Sequence, residues 1–174
     1  MQGALLRFAG RVEGLSRAAG ALAGWLYPLL LAVLIVNVAL RYGLGRGYIE
    51  LEELQWHLFA AAFLLALADT QAAGEHVRVD LLRGRLRPRA RAGVELAGAL
   101  LLLLPFCLIV GAWSFDFFWR SLLLAERSEM PSGLPARYAI KGVLFVSLAL
   151  LALQALADAA RSAARLGADD AARD

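Results

Sequence analysis

The sequence is poor in the residues that build most catalytic and metal centres. Among its 174 residues there are one cysteine, two histidines and one lysine. A single cysteine excludes a disulfide framework within the chain and a zinc site made of several cysteines. The sequence also lacks the GxSxG, HExxH and CxxC motifs and a glycine-rich phosphate loop. We therefore expect no enzyme activity and no cofactor in this chain.

Charged residues are also scarce, at 19% of the chain against about 25% in average soluble domains. Hydrophobic residues make up 60%, and the mean hydropathy is +0.62. So much apolar surface exceeds what the core of one small soluble domain can bury. Only 5 prolines and few polar tracts argue against a disordered chain.

Four uncharged stretches account for the apolar excess. Residues 18–40 and 96–115 form runs of 23 and 20 residues, and a bilayer core needs about 20. The runs 54–68 and 142–157 have 15 and 16 residues, which suffice when a flanking charge snorkels or lies against protein. The sequence predicts an all-α membrane protein with transmembrane helices at about 18–41, 52–72, 92–122 and 138–161. A buried soluble bundle is the alternative, and the fourfold recurrence of such runs disfavours it.

The arginines predict the orientation, because cytoplasmic segments of membrane proteins carry an excess of basic residues. With four spans both termini lie on one side, and that side holds twelve of the 18 basic residues. Both termini and the middle loop are therefore predicted to be cytoplasmic. The excess of arginine is predicted to reflect topology and lipid contact, not nucleic-acid binding. Residues 1–17 mix apolar residues with arginines and predict an amphipathic surface helix, with a frayed tail as the alternative. Residues 162–174 are predicted to be a cytoplasmic tail.

Polar residues spaced four apart occur near the predicted helix ends, where they share a helix face. They are Asn37 with Arg41, Glu53 with His57, and Asp116 with Arg120. Such pairs either cap helices at the membrane interface or hold helices or a partner chain in register. One specific expectation is that Arg41 meets Glu52 or Glu53 across the first loop. A GxxxG pair, Gly20 and Gly24, permits close helix contact on the first span.

Two further function classes are weighed against these residues. A haem-binding anchor of a redox enzyme wants paired axial histidines, but His57 and His76 are about 28 Å apart along a continuous helix. One haem cannot use both from this chain. An autonomous channel or transporter is disfavoured because no carboxylate lies near the middle of any predicted span.

Four segments in a fixed order carry a family resemblance. They are NVALRY (37–42), LEELQWHLFAAAFLLALA (51–68), GEHVRVDLL (74–82) and SEMPSGLPARYAIK (128–141). Over residues 25–157 the sequence resembles the small membrane subunit of tripartite ATP-independent periplasmic (TRAP) transporters, the DctQ-like family. It departs from many relatives at residues 136–138, where they have an apolar aromatic-proline step.

The resemblance implies a bacterial inner-membrane complex for organic acid uptake. A large DctM-like subunit would bind substrate and sodium and move as an elevator, and a periplasmic DctP-like protein would deliver the substrate. This chain would be a non-catalytic scaffold in contact with membrane lipids. Residues expected to organise helix ends, loops and partner contacts are Arg41, Glu52, Glu53, Trp56, His76, Arg78 and Asp80. Residues expected on the docking side for the binding protein are Glu126, Arg127, Glu129, Arg137 and Lys141.

Overall fold

The computed structural model describes residues 2–74 and 86–171 of the chain. Within these ranges there are four long helices and no strand: α1 (Gln2–Gly43), α2 (Ile49–Ala73), α3 (Pro88–Leu123) and α4 (Tyr138–Ala171). Each helix is long and apolar enough to cross a membrane. The predicted all-α fold with four potential spans is confirmed.

The helix boundaries follow from local chemistry. Gly74 ends α2 in the left-handed conformation, with φ of 72°, which glycine adopts without a steric penalty. Pro88 opens α3, where its missing N–H has no helical partner to lose. Further along α3, residues Gly98–Leu103 form a π-helical segment just before Pro105. A proline ring clashes with the carbonyl four residues earlier. For Pro105 that carbonyl belongs to Leu101, which lies within the wider π-helical segment.

Helix α1 differs from the sequence-based division at residue 17. The structure shows one unbroken helix from Gln2 to Gly43, so residues 2–17 are helical and continuous with the first span. This part of α1 is only partly covered by α4: Ala9 and Val12 pack in one buried cluster with Ala157, whereas Leu6, Phe8 and Leu15 are exposed. The helix is continuous across Arg17 because no proline interrupts residues 2–27.

Helix α4 is central, because it packs against each of the other three helices. Helices α1 and α2 form an antiparallel hairpin, and α3 packs extensively only against α4 among the described helices. Glycine allows close approach in two places. A Cβ on Gly20 of α1 would overlap the side chain of Asp69 on α2, and a Cβ on Gly142 would lie 3.0 Å from the ring of Phe118.

The bundle has two ends, which are named here by their contents. The loop end contains the α1–α2 connection and residues 124–137, called the outer loop. The terminal end is the one at which α1 begins and α4 ends.

Candidate functional site

The α1–α2 connection at the loop end is closed by an ion pair. Arg41 near the end of α1 binds Glu52 in the first turn of α2. The predicted contact across this connection is therefore present, with Glu52 as its acidic member. Both side chains are about half exposed, and ion pairs in solvent are worth only about 0–1 kcal/mol. The pair thus contributes little to the stability of the fold.

Glu53 contacts the outer loop, whereas the adjacent Glu52 binds Arg41. Glu53 is 8% exposed, and its carboxylate accepts hydrogen bonds from the backbone N–H of Leu134, at 2.6 Å, and from the hydroxyl of Ser128. Both donors belong to the outer loop. Glu53 therefore fastens the outer loop to α2. Gly133 makes this possible, since a Cβ there would overlap the side chain of Ser128.

The outer loop is also folded on itself. Backbone hydrogen bonds join Ser128 to Leu134 at 3.2 Å and Arg137 to Glu126 at 3.0 Å. Ala136 adopts a positive φ of 66°, which costs energy for a residue with a Cβ. The hydrogen bonds on both sides of it hold that conformation in place. The loop is thus a defined surface and not a simple tether.

Glu126 and Lys141 form an ion pair at the base of the outer loop. Lys141 also lies 3.8 Å from the ring centroid of Phe117, a cation–π arrangement. The hydrogen bond from Lys141 lowers the pKa of Glu126 below its ordinary value of 4.5, and the positive charges of Lys141 and Arg137 lower this pKa further. Both members of the pair, predicted as docking residues, are therefore engaged with each other.

The remaining docking candidates differ in exposure. Arg127 and Glu129 are exposed on the outer loop, next to the exposed Met130, whereas Arg137 is half buried. The structure therefore brings all five predicted docking residues to one end of the bundle, and Arg127 and Glu129 present the most accessible charges among the five.

Trp56 lies one turn along α2 from Glu52 and is 42% exposed. Its ring stacks on that of His57, with the centroids 3.9 Å apart. The Nδ1 atom of His57 is 2.7 Å from the backbone carbonyl of Glu53. Because a carbonyl only accepts, Nδ1 carries the proton and donates it. The other predicted structural residues, His76, Arg78 and Asp80, lie outside the described residues.

A buried polar network at the terminal end was missed by the sequence analysis. The Ser16 hydroxyl donates to Gln154 Oε1 at 2.9 Å, and Gln154 Nε2 donates to Asp158 at 3.0 Å. The second Asp158 oxygen accepts from Gln71 Nε2 at 2.7 Å. The network joins α1, α2 and α4. The four-residue spacing of Gln154 and Asp158 was a signal, but only the fold brings in Ser16 and Gln71.

Ion pairs surround this network. Glu13 of α1 binds Arg161 of α4, and Glu95 of α3 binds both Arg91, at 3.2 Å, and Arg165, at 3.5 Å. Among residues 2–74 and 86–171, no group of three histidine, cysteine or acidic side chains has the spacing to hold a metal ion. The polar groups at this end bind one another and connect helices.

Comparison with known families gives this arrangement its context. Residues 30–165 match the family of tripartite ATP-independent periplasmic transporters, DctQ component. Neither the curated proteins nor the solved structures returned a match. The match covers most of the chain, including α2, α3, the outer loop and the central part of α4. The chain therefore belongs to the DctQ family, a component of TRAP transporters.

Proposed function

We propose that the chain is a non-catalytic scaffold of its TRAP transporter. In this proposal it stabilises a large, sodium-coupled, DctM-like elevator subunit and helps to dock a DctP-like binding protein during organic acid uptake. It lies in the bacterial inner membrane, with the terminal end cytoplasmic and the loop end periplasmic. Sodium binds the large subunit and not this chain.

The uncovered face of α3 is the observation that carries the scaffold role. This helix packs extensively only against α4 among the described helices. It leaves large apolar side chains exposed at helical spacing, including Phe106, Ile109 and Trp113, the last of them by 74%. A transporter component must bind its partner subunit through some face. Helix α3, with few neighbours of its own and a row of large side chains, suits a helix of the large subunit.

The terminal-end network supports the non-catalytic part of the proposal. Both carboxylate oxygens of Asp158 already accept amide hydrogens. Gln154, which donates one of these hydrogens, is fully buried. Buried polar networks whose members are satisfied make a structure rigid. Such a network suits a subunit that stays still while its partner moves.

The outer loop supports the docking role. Glu53 and the internal hydrogen bonds hold this loop in one conformation, so its charges are presented without a large ordering cost on binding. Arg127 and Glu129 are exposed there. Charged groups at the edge of an interface mainly steer association and select the partner. We therefore assign Arg127 and Glu129 to recognition of the binding protein.

Co-purification tests the scaffold role. Trp113→Ala should lower recovery of the large subunit with a tagged form of this chain, because a large contact side chain is lost. Trp25→Ala on α1 is the matched control, since Trp25 is exposed by 76% but lies on another helix. Equal recovery of the large subunit with both variants and with the wild type would contradict the assignment of α3. A haem absorbance band in the purified chain would instead favour the redox-anchor alternative.

Charge reversal tests the docking role separately. Arg127→Glu and Glu129→Lys should slow transport driven by the binding protein while leaving recovery of the large subunit unchanged. Arg46→Glu is the matched control, because Arg46 is an exposed arginine on the other connection at the loop end. Transport at the wild-type rate by both reversal variants would mean that the docking contact lies elsewhere.

A further inference from the structure

The terminal end contains a crevice that the scaffold role does not use. It has a volume of about 820 Å³ and lies between the end of α2, the first part of α3 and the last part of α4. Its lining changes in character along α3. Arg91 lies at one end of the crevice, followed by Val94 and then by Leu102. Over these residues the helix rises by about 16 Å.

The polar part of the crevice is rich in guanidinium groups. Arg91 comes from α3, and Arg161 and Arg165 come from α4. Glu95 binds Arg91 through Nε and Arg165 through one terminal nitrogen. A guanidinium has five N–H donors, so these contacts leave donors on both arginines. Their side chains are also partly exposed, which keeps those donors accessible.

The acidic groups in the crevice are already bound within the protein. Glu95 is held between two arginines, and each Asp158 oxygen accepts an amide hydrogen. Their negative charges are therefore partly offset by bound hydrogens. An incoming phosphate would meet the arginines as its available partners. Arginine binds phosphate oxygens well because its planar fork of donors matches their geometry.

The apolar part of the crevice has the complementary character. Val94 is exposed by 61%, and Leu102 is exposed to a similar extent. The crevice thus combines an end lined by arginine side chains with an apolar wall that leads towards the middle of the span. Basic pockets between transmembrane helices on the cytoplasmic side are typical binding sites for anionic lipid headgroups.

We propose that this crevice binds an anionic phospholipid. Arg91 and Arg165 bind the phosphate beside Arg161, which is itself paired with Glu13 of α1, and one acyl chain lies along Val94 and Leu102. The inference requires that the helices span a bilayer, and it does not depend on the scaffold or docking roles.

Native mass spectrometry of the full chain in detergent tests this proposal. Palmitoyl-oleoyl phosphatidylglycerol and phosphatidylcholine are added separately at equal concentrations. The wild type should bind one phosphatidylglycerol at least tenfold more tightly than phosphatidylcholine. The double variant Arg91→Gln/Arg165→Gln should lose this preference. The control Arg7→Gln/Arg11→Gln removes the same charge from exposed positions at the same end, and it should retain the preference.

A second pair of variants leaves the ion pairs intact, in case the double variant fails to fold. Val94→Glu places a carboxylate in the crevice at an exposed position, so it should abolish the preference for phosphatidylglycerol without disturbing packing. Val94→Gln has the same size without the charge and should retain the preference. Equal binding of both lipids by the wild type, or an unchanged preference in Val94→Glu, would overturn the proposal. Either result would mean that the crevice contacts a helix of another chain and does not bind a lipid.

Discussion

The hydrogen bonds of Glu53 make the substitution Glu53→Gln a sharp test of how the outer loop is held. Glutamine keeps the size of the side chain and one oxygen acceptor, but it loses the negative charge and the second acceptor. In the wild type both carboxylate oxygens are used, one by Ser128 and the other by Leu134. We therefore expect the variant to fold while its outer loop opens more often.

The magnitude follows from the type of bond. Hydrogen bonds to charged groups contribute about 1.5–3 kcal/mol each. The bond from the Leu134 N–H is 2.6 Å long and belongs to a carboxylate that is largely buried. Loss of one such bond should lower the free energy of loop opening by about 1.5–3 kcal/mol, which is about tenfold to a hundredfold in the opening equilibrium.

Hydrogen exchange measures this opening directly, because protected amides exchange when a local segment opens. The observable is the protection of the Leu134 amide in the chain held in a lipid nanodisc. Glu52→Gln is the matched control. Glu52 is adjacent on the same helix but binds Arg41, and it makes no hydrogen bond to the outer loop among those described. Unchanged protection in Glu53→Gln, or an equal loss in Glu52→Gln, would refute the reasoning.

Three further changes probe packing, the buried network and the loop base, each followed by thermal unfolding of the purified chain. Gly20→Ala should destabilise the chain by about 1–3 kcal/mol through overpacking. Gly24→Ala should not, because a Cβ on Gly24 would meet no neighbouring element within 4 Å. Equal melting temperatures of the two variants would contradict this expectation. Asp158→Asn should cost about 1–3 kcal/mol because an amide cannot accept both hydrogen bonds; an unchanged melting temperature would count against the network. Lys141 lowers the pKa of Glu126. The ionised Glu126 carboxylate therefore contributes to the stability of the folded chain above pH 4.5, and this contribution is lost as the pH falls through the lower folded-state pKa. The melting temperature of Glu126→Gln should therefore fall less between pH 7 and pH 3 than that of the wild type. An equal fall in both proteins would mean that the Glu126–Lys141 pair does not contribute to the pH dependence of stability.

The sequence predicted the number and type of the helices because the relevant signal is local. An uncharged run reports directly on whether a segment suits a bilayer, and four such runs correspond to α1–α4. The extent of α1 was not predicted, because the hydropathy signal stops at Arg17 although the helix continues. A charged residue ends an apolar run without ending the hydrogen-bonded backbone.

The partners of polar side chains were harder to predict. The sequence placed Arg41, Glu52 and Glu53 near one another, and the Arg41–Glu52 pair follows from the short α1–α2 connection. The Glu53–Leu134 contact spans 81 positions, so no local pattern indicates it. It depends on the way in which α4 places the outer loop beside α2.

Reconstituted transport tests the central claim most directly. Proteoliposomes should contain the large subunit with or without this chain, together with the binding protein, an organic acid and a sodium gradient. A non-catalytic scaffold predicts that transport needs both membrane chains and sodium. It also predicts that the large subunit alone unfolds at a lower temperature. Transport by the large subunit alone at the full rate, with unchanged stability, would contradict the account.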